Sequence, residues 1–137
     1  SDVNIVTLGR NMRKCFNTLL KDISLDHVIV ENQIGPLANR MKTLQGMVMQ
    51  HFIELSAPII KEISAYNKLK LFLSQGQKTT YNERKKLGIQ ITQQQLNATP
   101  KITHWENFFQ SHKKKDDLAD SFLQGFWYLN SGDLSNK

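Results

Sequence analysis

Apolar and polar residues alternate along this chain with two different periods. Over 8–20, Leu8, Met12, Cys15 or Phe16, and Leu19 recur every three or four positions, the spacing of an amphipathic helix. Arg10, Arg13, Lys14 and Lys21 occupy much of its other face. Ser24-Leu25-Asp26 breaks the pattern. The β-branched run His27-Val28-Ile29-Val30-Glu31 follows, apolar until its last residue, and predicts a strand buried on both faces. Glu31-Asn32-Gln33 therefore sets a carboxylate where that strand leaves the core. Gly35-Pro36 punctuates a loop, and Leu37, Met41, Leu44, Val48 and Phe52 mark a second helix over 37–55 that Pro58 stops. Ile59 to Ile63 predicts a second strand. Strand, helix, strand in this order is a βαβ unit with parallel strands.

From 64 to 86 the chain turns polar and basic, with Lys68, Lys70, Lys78, Arg84, Lys85 and Lys86. Leu69, Leu71, Phe72 and Leu73 suit a short strand or an anchored loop. A helix is predicted over 81–96, against which Gly88 and the glutamine run argue. Thr99-Pro100 opens another helix carrying Ile102, Trp105, Phe108 and Phe109, whose rings read as core rather than as base-stacking platforms. The last helix covers 114–129, with Leu118, Phe122, Phe126 and Leu129 facing inward. The fold class is α/β, with one domain over 1–130 and a flexible tail over 131–137.

No apolar run is long enough to span a membrane and no signal-peptide pattern opens the chain, so neither a membrane partner nor secretion is expected. The lone cysteine, Cys15, excludes an internal disulfide and a cysteine-built zinc site, and its apolar neighbours predict core packing. His27, His51, His104 and His112 show no mutual metal-ligand spacing, and none is assigned to catalysis. The formal charge of +6 and isoelectric point near 9.5 suit a polyanionic partner, since Lys and Arg displace counterions condensed on nucleic acid. A plain basic surface would give the same charge.

The carboxylates narrow the chemistry. Hydrolysis of a phosphodiester at neutral pH needs an activated water and a stabilised leaving oxyanion. Two divalent cations about 3.5–4 Å apart supply both, held by hard oxygen ligands. Asp and Glu clusters are thus the signature of magnesium or manganese. Glu31 ends a strand, where the ligands of open α/β sheets gather. Asp117 and Asp120 share one face near the start of the last helix. Each also has a structural reading: Asp116-Asp117 as a helix cap or macrodipole partner, and Glu31 as a solvated strand end.

Two longer stretches carry more information. Val28-Ile29-Val30-Glu31-Asn32-Gln33, followed by Asn39-Arg40-Met41-Lys42-Thr43-Leu44-Gln45-Gly46-Met47, resembles the Holliday junction resolvases of poxviruses, other large DNA viruses and fungal mitochondria. Lys114-Lys115-Asp116-Asp117-Leu118-Ala119-Asp120-Ser121-Phe122-Leu123-Gln124-Gly125 resembles that family's carboxy-terminal acidic motif, and Leu8-Gly9-Arg10-Asn11 also fits. The resemblance runs from about Asp2 to Leu129. It implies a RuvC-like, ribonuclease-H-type fold and a homodimer that cuts four-way DNA junctions with paired nicks, using Mg2+ or Mn2+. Matched residue by residue, Glu31 is the strand glutamate, and Asp117 and Asp120 are the Asp-x-x-Asp pair, all three catalytic and metal-binding. Asp116 is a substitute metal ligand for Asp117. Lys86 or Lys85 is the basic residue near the scissile phosphate. A virus of this kind would place the protein in the viral factory or host cytoplasm, a fungus in the mitochondrion.

The family's first strand carries a metal-bridging aspartate in an Asp-x-Gly-type motif that does not occur here, and Asp2, followed by Val3-Asn4, is not its replacement. The expectation is that this strand lies upstream of Ser1; donation by another chain and an inactive remnant are the alternatives. Beyond the carboxylates, Asn39, Arg40, Lys42 and Gln45 are expected on the surface of the second helix, where Arg40 and Lys42, with Lys85 and Lys86, would contact DNA phosphates. The apolar surplus of Met47, Met49, His51 and Phe52 reads as core, with a dimer contact as the alternative. A non-catalytic junction-binding protein, a less selective nuclease of the ribonuclease H superfamily and a purely structural helical protein are the competing functions.

Overall fold

A computed structural model describes residues 3–56 and 58–131. Asp2 and, apart from Ser131, the expected tail lie outside the described residues. The chain divides into two compact units, Ser1–Ser64 and Ala65–Lys137.

The first unit runs α1 (Ile5–Leu19), β1 (His27–Glu31), α2 (Asn39–Ile53) and β2 (Ile59–Ile63). Asn4 starts α1: its side-chain oxygen accepts from the amides of Val6 at 2.8 Å and Thr7 at 3.3 Å, satisfying two donors that the first helical turn leaves unpaired. β1 and β2 are parallel, in register from His27 opposite Ile59 to Glu31 opposite Ile63. This is the βαβ unit that the two β-branched runs predict. Gly35 takes φ 101°, a left-handed conformation that glycine adopts without steric cost, and so lets the chain turn from β1 into α2.

Several expectations for this unit are corrected. β1 is not buried on both faces: Val28 is buried and its neighbours are half-buried, because among the described residues the sheet has two strands only. Cys15 is exposed, since α1 rotates Leu8, Met12 and Phe16 inward. α2 starts at Asn39, leaving Leu37 fully exposed and Met41 half exposed. It ends at Ile53, five residues before Pro58, and Ser56 adopts a left-handed φ of 64° in the turn that follows. Phe52 is buried and its ring lies 5.1 Å from Phe16. Where α1 meets α2, Gly9 gives room to Met47: a Cβ there would have to displace its Cε methyl.

The second unit opens with a 3₁₀ turn, Ala65–Leu69, then α3 (Tyr81–Ala98), a second 3₁₀ turn (Thr103–Trp105), α4 (Glu106–Ser111) and α5 (Lys115–Asn130). Leu69, Leu71, Phe72 and Leu73 form the anchored loop and not the strand. Leu69 is buried with Ile91 and Leu123, and Phe72, Leu73, Leu87 and Phe122 pack around them. α3 forms despite Gly88 because Gly88 is buried against Leu123, 3.6 Å from where its Cβ would stand, and because Thr80 and Glu83 close a capping box at its start. A second cluster joins Leu96, Phe109 and Ala119.

On α5 the buried residues are Ala119, Leu123, Gln124 and Tyr128. Leu129, expected inside, is exposed; the inward stripe follows the i, i+4 row from Ala119 through Leu123. Trp105 and Phe108 are also half exposed, so the aromatic cluster of α4 contributes Phe109 alone to the buried core. Trp105 and Phe108 instead meet edge to face with centroids 5.7 Å apart.

Candidate functional site

In the first unit the end of β1 is tied down by amides. Gln33 Nε2 donates to the Glu31 carboxylate at 3.1 Å and to the Glu31 carbonyl at 3.3 Å. The backbone amide of Gln33 donates in turn to Gln45 Oε1 at 2.7 Å. Gln45 Nε2 donates to Asn32 Oδ1 at 3.3 Å and to the Glu62 carboxylate. Gln45, read from sequence as a surface residue, is therefore buried, at 8% exposure. A buried amide is stable only with its donors and acceptor satisfied, and here that requirement fixes the strand end bearing Glu31. Arg40 and Lys42 are exposed on the same helix, and the Arg40 guanidinium donates to the carbonyl of Val3.

In the second unit a cleft of about 960 Å³ opens beside the start of α5. Asp116 and Asp120, four residues apart, share the helix face that lines it. Lys68, Lys70, Lys78, Arg84 and Lys85 are the cations of its wall. Both carboxylates are ion-paired. Lys85 Nζ stands 3.4 Å from Asp116 and Lys68 Nζ 3.2 Å from Asp120. Arg84 is pinned by donating from Nη1 to the carbonyl of Thr79 at 2.7 Å. Partial desolvation raises the pKa of Asp116, but the hydrogen bond from Lys85, its own backbone amide, and the charges of Lys85 and Lys114 together outweigh it. The carboxyl consequently titrates below its ordinary value.

The structure thus brings together Asp116, Asp120 and Lys85, and adds Lys68, which nothing in the sequence sets apart from the other basic residues of 64–86. Asp117 and Lys86 are exposed and do not line the cleft. The helix phase is the reason: Asp120 lies one turn on from Asp116, and Asp117 points about 100° away from Asp116. The capping reading of these acids is only partly met. The N-cap residue is Lys114, with no side-chain hydrogen bond to the helix end, and the Asp116 carboxylate is engaged mainly by Lys85.

As metal ligands these groups match magnesium or manganese in kind, being hard oxygen donors. They do not match in number. Among the described residues no three His, Cys, Asp or Glu side chains gather into a group that could hold an ion, and within the cleft each carboxylate already has a lysine. No helix among the described residues is long and apolar enough to cross a membrane.

The cleft is thus basic on balance, its five cations outnumbering its two carboxylates. Comparison with known proteins makes the class specific. The family model described as Poxvirus A22 protein matches residues 2–131, and the chain belongs to that family, the poxvirus Holliday junction resolvases. It is also similar to the protein called "Uncharacterized protein L451" of Acanthamoeba polyphaga mimivirus, 27% identical over 125 residues that cover 78% of this chain. The chain spans 29% of the length of that relative. No solved structure matches the chain. Both matches are viral and mark this as a viral protein; they lend nothing to the mitochondrial alternative.

Proposed function

We propose that this chain is the catalytic part of a structure-selective DNA endonuclease that resolves four-way junctions by paired phosphodiester hydrolysis. The observation that carries the reading is the cleft of the second unit, where two carboxylates stand among five cations in a chain of the resolvase family. The cations suit phosphates, which are recognised by charge and position and not by base sequence. Glu31, Asp117 and Asp120 are the proposed catalytic carboxylates; Asp116, the alternative to Asp117, is the one that lines the cleft beside Asp120. Lys85 is favoured over Lys86 as the basic residue near the scissile phosphate, because it lines the cleft. Magnesium or manganese is the proposed cofactor, a ribonuclease-H-like arrangement the proposed full fold, and a homodimer the proposed assembly, since two nicks on opposed strands call for two sites. The proposed place of action is the host cytoplasm.

The experiment is cleavage of a synthetic four-way junction with magnesium, set beside a linear duplex of the same sequence. Paired nicks in the junction alone are expected. Equal cutting of both substrates would leave a nuclease without junction selectivity. Tight junction binding with no cutting under any divalent cation would leave a binding protein.

A further inference from the structure

We propose that the cleft of the second unit takes an unpaired, splayed-out nucleotide of the DNA, with Tyr66 and Tyr81 as its stacking surfaces. The choice of DNA as ligand rests on the junction-resolving reading above; the shape and chemistry of the subsite do not. Two tyrosines line the same cleft as the cations. Tyr66 retains 76% and Tyr81 69% of its exposure. Neither ring is committed to a core, which is where most of the area of a large aromatic side chain is normally spent. Their positions are set by structured elements: Tyr66 lies in the 3₁₀ turn Ala65–Leu69, and Tyr81 is the first residue of α3, directly after the Thr80 cap.

Charge selects the rest of the ligand. Lys85 and Lys68 are matched by Asp116 and Asp120. Lys70, Lys78 and Arg84 are the other cations on the wall, so the cleft keeps a net positive charge with both carboxylates ionised. Exposed aromatic faces beside surplus cations form the surface that binds single-stranded nucleic acid, the rings stacking on bases and the cations following the backbone. A base inside an intact duplex has both faces covered by its neighbours and offers nothing to a tyrosine. A base freed at a branch point offers both. The cleft volume of about 960 Å³ sits at the upper end of the range for ligand sites, roughly 300–1,000 Å³, and accommodates a nucleotide with its flanking phosphates.

The test is binding of a fluorescein-labelled oligothymidine, followed by anisotropy, with a blunt duplex as the second probe. Tyr66→Ala and Tyr81→Ala are each expected to weaken oligothymidine binding about tenfold, as loss of one base–aromatic stack does, and to leave duplex binding unchanged. Tyr66→Phe and Tyr81→Phe keep the stacking face and are expected to bind like the parent. Both positions are largely exposed, so an unchanged thermal transition checks that the alanine variants fold. Oligothymidine affinity unaltered by both alanine variants overturns the proposal. So does loss in the phenylalanine variants equal to that in the alanine ones, or equally effective competition by polyglutamate in parent and variants. Tyrosine-dependent oligothymidine binding in a chain that cuts no junction would sustain this subsite and sink the nuclease; junction cutting with no tyrosine dependence would do the reverse.

Discussion

Lys68 Nζ stands 3.2 Å from the carboxylate of Asp120, so one of the acids proposed for catalysis carries its own counter-charge from a 3₁₀ turn distant in sequence. Removing the acid therefore adds positive charge to the cleft. Asp120→Asn is expected to abolish junction cutting while binding of junction DNA, measured by gel shift, is retained or tightened. Glu31→Gln is expected to abolish cutting with binding unchanged. Loss of binding and of the folding transition together in either variant would show a structural role instead.

The Lys85–Asp116 pair has a pH dependence of definite sign. The folded-state pKa of Asp116 lies below its ordinary value of 3.8, so the pair's contribution is present above the unfolded carboxylate pKa and is lost as pH falls through the lower folded value. A carbon-detected NMR titration is expected to place the Asp116 midpoint below 3.8. In Lys85→Met the midpoint is expected to rise, because partial desolvation then meets less opposition. An unmoved midpoint would mean that Lys85 does not hold the carboxylate in solution.

Gln45 is the next point of leverage. Its side chain answers the backbone amide of Gln33 and donates to Asn32 and Glu62. Gln45→Leu matches it in size and removes every one of these bonds. The unpaired Gln33 amide makes the expected cost about 1–3 kcal/mol in chemical denaturation. Cutting is expected to fall further than junction affinity, since the strand end bearing Glu31 is released while the basic surface is not. Equal loss of both would place Gln45 in general stability alone.

Much of this was legible from the chain. Both strands fall where the β-branched runs set them, because Pro58, Gly35 and Ser24-Leu25-Asp26 leave them no room to shift. The helix starting at Tyr81 is weakened in the sequence by Gly88 and the glutamine run, and the local signal that outweighs them, the capping box of Thr80 and Glu83, comes into view only with the structure. Burial was less so. Trp105, Phe108 and Leu129 are as apolar as Phe109 and Leu123 yet stay exposed, since only the rotation of a helix against its neighbours decides which of several apolar residues faces in. The acid pair stays open in the sequence for the same reason: spacing allows Asp117 or Asp116 to join Asp120, and only the helix phase shows that Asp116 shares the cleft wall with it. Gln45 was misread because a polar residue looks solvent-facing until its hydrogen-bond partners, 12 to 17 positions away, come into view.

Glycines in two of the family-like stretches are expected to behave oppositely. A methyl at Gly46 meets nothing within 4 Å, so Gly46→Ala should stabilise by about 0.5–1 kcal/mol through the helix preference of alanine. At Gly9 the same methyl must displace Met47 Cε. Gly9→Ala is expected to gain less than Gly46→Ala, and Gly9→Leu to lose about 1–3 kcal/mol by overpacking. Denaturant midpoints of the three variants check the order.

The parallel register has a kinetic consequence. His27 faces Ile59 and Glu31 faces Ile63, so every rung of the sheet joins residues 32 positions apart, from 59 minus 27, and cannot form until a long loop has closed. The capping box at Thr80, by contrast, closes over three residues, the kind of contact that forms early. The lip of the cleft is thus assembled by its own neighbours, whereas Glu31 gains its place only when the slowest pairing in its unit is complete. Anything that loosens that unit, whether heat, a shortened loop or a cavity under Phe52, will be felt at Glu31 before it is felt anywhere in the basic wall.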